Sequence, residues 1–199
     1  MMPAFHRIVG RSTRDTRWIA FAEAIRAGAD PANYVHRRHL ATIDADRQTS
    51  CFEHDYWPDL RWVRLHFGNS PDGLALRPES QAVREGELRR IFSAVAREHS
   101  DANAVRCCSW LYHVPAYRAL FPPELVARLQ SVGYLYQFAA LWGQFLDGLG
   151  NVKPAIAEPF IARIELTSSL EELETAFALD VLAATCPIDV FYRHFGIDR

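Results

Sequence analysis

At 199 residues, with 49% hydrophobic and 12% aromatic content, the chain carries enough apolar material for one sizeable core or at most two small ones. Its formal net charge of -2 leaves no basic excess, which argues against nucleic acid or an anionic membrane as a partner. No stretch reaches the roughly 20 apolar residues of a membrane span, and the opening MMPAFHRIVGRSTRDTRW lacks an apolar run of signal-peptide length, so a reduced, cytoplasmic protein is expected.

The first predicted element is a helix over RSTRDTRWIAFAEAIRAGADP, where Trp18, Phe21, Ala22 and Ile25 fall at helical spacing and Gly28 supplies a stop. Asp30 and Pro31 suit the N-cap and first turn of a short second helix through ANYVHRRHL. Residues 41–55 are polar and mixed and read as a loop or weak strand. LRWVRLHFG then alternates: Trp62, Arg64 and His66 take one side, and Val63, Leu65 and Phe67 the other, a strand with one strongly apolar face. After the loop GNSPDG, Pro78 and Glu79 suit the start of a long helix through ESQAVREGELRRIFSAVAREHS. Its expected buried stripe is Val83, Leu88, Ile91, Phe92 and Val95, and its expected solvated face is Arg84, Glu85, Glu87, Arg89 and Arg90.

AVRCCSWLY is short and almost wholly apolar, the pattern of a strand covered on both faces. VPAYRALFPPELVARLQSVG reads as a helix interrupted at Pro122 and Pro123 and stopped by Gly133. YLYQFAALWGQFLD reads as a further strand, bent or bulged at Gly143, and DGLGN as a turn. One helix starts near Pro154. A second runs through SLEELETAFALDVLAA behind a capping box of Ser168 and Glu171. Pro187 opens a last helix, PIDVFYRHF, which Gly196 ends. The strand–helix–strand–helix–strand order over residues 61–147 is the organising signal. It predicts a single α/β or α+β domain, a small mixed sheet surrounded by helices. The expected division is a helical N-terminal segment over 1–55, an α/β core over 56–150 and C-terminal helices over 151–199.

Several residue groups invite a chemical reading. Cys107 and Cys108 point to opposite faces of a strand, so they do not share one metal or one substrate, and they read as small buried hydrophobes with inert thiols. A cysteine nucleophile would need His113 or His66 brought beside it. Glu53, His54 and Asp55 are adjacent and rarely converge on one ion, and His36 with His39 lack a third ligand, so no metal is expected. The loop HFGNSPDGLALRPES joins a strand to a helix start, where backbone amides and the helix dipole can receive a phosphate and Arg77 can add charge. Lys153 is the only lysine, and the arginines that dominate the basic residues suit carboxylates and phosphates, although most arginines form surface ion pairs.

The order VRLHFG, long helix, VRCCSWLY, YRALFPPEL and YQFAALWGQF resembles the GNAT-like C-terminal acyltransferase domain of some bacterial proteins. The matching residues are Leu65 and His66, Cys107 to Leu111, Leu120 to Pro123, and Gln137 with Phe138 in reversed order, within a region of about half the chain. The resemblance implies an acyl-CoA-dependent transferase fold, in which strand and helix splay apart to admit the thioester. It implies that the loop carrying Gly68, Asn69, Gly73 and Arg77 faces the cofactor phosphates, without the Q/R-x-x-G-x-G/A signature usual there. His66, Cys108 or Tyr112 would then carry acid–base work in transfer to a small amine. The rival reading is a non-catalytic module that binds a small ligand or a protein through Tyr56, Trp57, Trp62, Trp110 and Trp142, aromatics that equally suit core packing. A cysteine hydrolase is a third.

Overall fold

The computed structural model describes residues 50–68, 70, 73–133 and 139–198. The helices expected before residue 49, and with them His36 and His39, lie outside the described residues, as does Asn69. In chain order the elements are β1 (Phe52–Trp57), β2 (Trp62–Phe67), α1 (Gln81–Glu98), β3 (Ala104–Ser109), α2 (Pro115–Arg118), α3 (Pro123–Val126), β4 (Gln130–Ser131), α4 (Ala139–Trp142), α5 (Pro154–Leu166), α6 (Leu170–Ala176), β5 (Leu182–Pro187) and α7 (Ile188–Phe195). They fall into two compact units, one built from Asp44–Ser131 with Leu182–Arg199, the other containing Val132–Val181.

The first unit holds a mixed five-stranded sheet in the order β1-β2-β3-β5-β4, so the fold class is α/β or α+β, as the sequence predicts. The polar stretch before Asp55 resolves into β1, because β2 offers it a full antiparallel ladder from Phe52↔Phe67 to Trp57↔Trp62. The turn between them is closed by the Leu60 amide donating to the Trp57 carbonyl at 3.2 Å, with Arg61 in the left-handed region at φ 53. The strand–helix–strand crossover is as expected: α1 follows β2 through a short 3-10 turn at Pro78–Ser80, and β3 lies parallel to β2. Prolines at 115, 122 and 123 break the next stretch into two single-turn helices, each with a proline at its start.

β5 is a correction. The stretch DVLAA reads as helix because Leu and Ala are strong helix formers, yet Leu182–Pro187 pairs antiparallel with β3 on one side and β4 on the other. Tertiary pairing overrides a propensity worth only tenths of a kcal/mol per residue. The strand therefore comes from the segment expected to be all helical.

One sheet face is packed. Phe52, Val63, Val105, Cys107, Ala184 and Cys186 project from it into a cluster with Leu88, Phe92 and Val95 of α1 and Ile188 and Phe191 of α7. Phe92 lies 4.7 Å from Phe191 and 5.5 Å from Phe195, centroid to centroid. Each such side chain contributes roughly 1.5 to 3 kcal/mol by leaving water. The α1 stripe differs from expectation at three residues. Val83 is 52% exposed, whereas Arg84 and Glu87 are buried, because the inward phase runs through 84, 87, 88, 91, 92 and 95. Arg84 Nη1 sits 3.1 Å from Glu87 Oε1, and Glu87 Oε2 accepts from the Cys51 amide at 3.1 Å, so the two charges meet each other inside the packed side.

The second unit packs around Trp142, Phe145, Phe160 and Phe177, with Phe145 and Phe160 4.6 Å apart. Gln144 is fully buried. Its amide donates to the Leu141 carbonyl and accepts from the Leu179 amide, both at 3.0 Å. The strand expected over YLYQFAALWGQFLD is instead helical at Ala139–Trp142 and continues as a 3-10 turn through Phe145; its first part lies outside the described residues. The capping box opening α6 is Ser169 with Glu172, one residue later than expected, which brings Leu173 fully inside. Among the described residues no helix is long and apolar enough to cross a membrane.

Candidate functional site

The other face of the sheet carries most of its exposed side chains among the described residues, and strand pairing arranges them in rows. Successive strand residues alternate between faces, so Cα partners share a side. Trp57 stands beside Trp62; Asp55 beside Arg64, then Arg106, then Thr185; and Glu53 beside His66. Cys108 continues β3 two residues beyond Arg106, beside Ala183. Trp57, Glu53, Asp55, His66, Arg106, Cys108 and Thr185 are all exposed. This overturns the expectation that β3 is covered on both faces and that both of its cysteines are buried. Cys107 is buried and Cys108 is exposed, because α1 and α7 pack on the Cys107 side of the sheet.

His66 Nε2 donates to Asp55 Oδ2 at 2.7 Å. That bond fixes the tautomer and leaves Nδ1 as the acceptor of a neutral ring. Cys108 shares the face with His66. Partial burial raises its thiol above the ordinary cysteine range, against the opposite pull of the Arg106 and Arg64 guanidiniums. Tyr112 is not brought to them. It is 1% exposed in the packed cluster, hydrogen-bonded to Cys107 and Tyr117, and burial raises its hydroxyl well above the usual tyrosine range. Burial likewise pushes the Cys107 thiol up to about 12, so this thiol is inert.

The two inner parallel strands do not stay together. β2 and β3 are paired at Trp62↔Ala104, Val63↔Val105 and Arg64↔Arg106. Beyond that point β2 remains paired with β1 as far as Phe67, and β3 remains paired with β5 as far as Ser109, but no pairing joins Leu65–Phe67 to Cys107–Ser109. The ladder of the parallel pair thus ends short of their C-terminal ends, with Gly68 just past β2. Gly68 has open space at its Cα: an added Cβ would meet nothing within 4 Å.

Among the described residues of the loop beyond, three amides are already engaged and are not free for a phosphate. The Gly68 amide donates to the Cys51 carbonyl at 2.8 Å, Gly73 to Ser70 at 2.9 Å and Arg77 to Leu74 at 3.1 Å. Gly73 is in the left-handed region at φ 70, serving the turn. Among the described residues of the loop, Arg77 offers an anion its exposed side chain immediately before the 3-10 turn.

The remaining candidates separate. Glu53, His54 and Asp55 alternate along β1, with His54 on the opposite side from the other two. Among the described residues no group of three or more His, Cys, Asp or Glu side chains is placed to hold a metal ion. Trp110 and Trp142 are half-buried. Sequence reading missed Asp55, Arg64 and Arg106 as parts of one surface. The signal was present in the alternation of WVRLHF and in the four-residue turn before it, which together fix what stands opposite what. No protein-family model matches the chain, and no curated protein or solved structure matches it.

Proposed function

We propose that the chain is an acyl-CoA-dependent N-acyltransferase of the GNAT-like kind, acting on a small amine. The observation that carries this reading is the parting of β2 and β3 beyond Arg64 and Arg106. The resemblance implies a strand and a helix splayed apart for thioester entry, and the unladdered gap between these two strands supports that reading. Its edges keep backbone donors and acceptors that have no ladder partner. Arg77, immediately before the 3-10 turn that leads into α1, supplies an exposed cation for a phosphate, by charge-assisted contact.

Acyl-CoA, when bound, supplies an activated thioester carbonyl. The chain's own residues manage protons around it. Asp55 orients His66 so that Nδ1 takes the proton of the attacking amine as the new C–N bond forms and the C–S bond breaks. Cys108 keeps its proton at neutral pH and passes it from Sγ to the departing sulfur, then recovers one from water. Tyr112 is assigned to packing.

Calorimetric titration with CoA and acetyl-CoA tests the reading. Binding well below millimolar is expected, and Arg77→Glu should weaken it by roughly 1.5 to 3 kcal/mol through a lost charge-assisted contact and added repulsion. No heat at millimolar ligand would refute it and leave the non-catalytic binding module in front.

A further inference from the structure

Arg64 and Arg106 are direct partners on adjacent strands, so two positive charges stand side by side on the open face. Like charges placed opposite one another across strands destabilise a sheet. The usual remedy, a carboxylate beside them, is missing: among the described residues neither guanidinium forms an ion pair. Asp55 is the registered neighbour of Arg64, but its carboxylate is given to His66 instead. Each guanidinium lies over an indole of the next strand, Arg64 at 4.7 Å from the Trp57 centroid and Arg106 at 5.5 Å from that of Trp62. Stacking occupies the face of a guanidinium and leaves its N–H edge for a planar oxyanion.

We infer that the Arg64–Arg106 pair is a carboxylate subsite and that its ligand is an amino acid, a primary amine and a carboxylate a few bonds apart. Its role as acceptor site rests on the acyl-transfer reading; the binding itself does not. Charge chooses the carboxylate over a phosphate. With Asp55 counted, the row carries a net single positive charge, which one carboxylate balances and a phosphate dianion exceeds. The amine end has its own partner. His66 and Asp55 lie one step further along β2 and across to β1, and they are the pair that would take its proton.

The test is calorimetry with glycine and L-alanine, set against ethylamine, acetate and inorganic phosphate, on the wild-type chain and on R64Q, R106Q and R106K. Acetyl-CoA is titrated into the same preparations, and thermal melting by circular dichroism checks their folding. The amino acids are expected to bind at least tenfold more tightly than ethylamine or acetate. R64Q and R106Q should each lose tenfold or more, R106K less, with acetyl-CoA affinity unchanged within about twofold. Arg106 is exposed, so R106Q and R106K carry the test if R64Q does not fold. Ethylamine binding as well as alanine, phosphate binding more tightly than the amino acids, or affinity indifferent to both arginines would overturn the inference while leaving acetyl-CoA binding to speak for the transferase. Arginine-dependent amino-acid binding without acetyl-CoA binding would remove the acceptor role and uphold the subsite.

Discussion

Replacing Glu87 by Ala is expected to cost about 4 kcal/mol, a size that follows from what its carboxylate touches. Glu87 is 1% exposed, with Arg84 at 3.1 Å on one oxygen and the Cys51 amide at 3.1 Å on the other. Breaking one partner of a buried ion pair typically costs about 3 to 5 kcal/mol, because the surviving charge stays out of water. The low end applies here, since Arg84 is 9% exposed at the helix start and its long side chain can swing outward. Orphaning the Cys51 amide adds about 1 kcal/mol. Urea denaturation followed by tryptophan fluorescence and by circular dichroism reads the loss, and the melting temperature should fall by roughly 10 °C. The double variant R84M/E87L is the control: it removes both charges, refills the space and should recover most of the loss, to within about 1.5 kcal/mol of wild type. A Glu87→Ala cost below about 1 kcal/mol, or a double variant as unstable as the single one, would refute the reasoning.

Two further outcomes follow from burial. In the folded protein a disulfide reagent should modify Cys108 in a single fast phase, while Cys51, Cys107 and Cys186 react only on unfolding; C108S should abolish the fast phase, and two fast thiols would contradict the one-sided sheet. Burial, and then the neighbouring His99, hold the His54 pKa below its usual 6.5. The fold thus favours neutral His54, so its contribution to stability is intact above pH 6.5 and declines as pH falls from there towards the folded-state value. Asp101, Asp147 and Glu172 are held below the ordinary carboxylate range by hydrogen bonds and act only in more acid solution. Denaturant midpoints between pH 7 and pH 5 should therefore fall for wild type and less for H54Q; identical slopes would remove His54 from the account.

Legibility in the sequence tracked the strength of local pattern. WVRLHF alternates cleanly and GELRRIFSAVA carries a helical stripe, so β2, α1, β3 and their parallel crossover could be read directly. AALW and VLAATC were misread in opposite directions, because short apolar runs do not distinguish helix from strand and the deciding partner lies far away in sequence. At the site, His66 and Cys108 were singled out one at a time. That they share a face, that Asp55 orients His66 and that Tyr112 is turned away all depend on which strands are neighbours, which no local window contains. Arg84 and Glu87 looked solvated because charge usually is; their mutual pairing and the Cys51 amide make the inward phase tolerable.

The position of β5 in the sheet has a consequence for synthesis. It lies between β3 and β4, so the long side of β3 from Ala104 to Ser109 has no partner until the ribosome has passed residue 187, long after β1 to β4 have emerged. A nascent chain in that interval carries a half-built sheet in which one edge of β3, with Val105 and two cysteines, is unpaired, the kind of edge that recruits other chains. Closing a loop of this length late also makes the sheet a slow folder for its size. Arg106, midway along that waiting edge, makes it a poorer template for an identical strand from another copy, so one of the two arginines that ask for a ligand in the finished protein also guards the unfinished one.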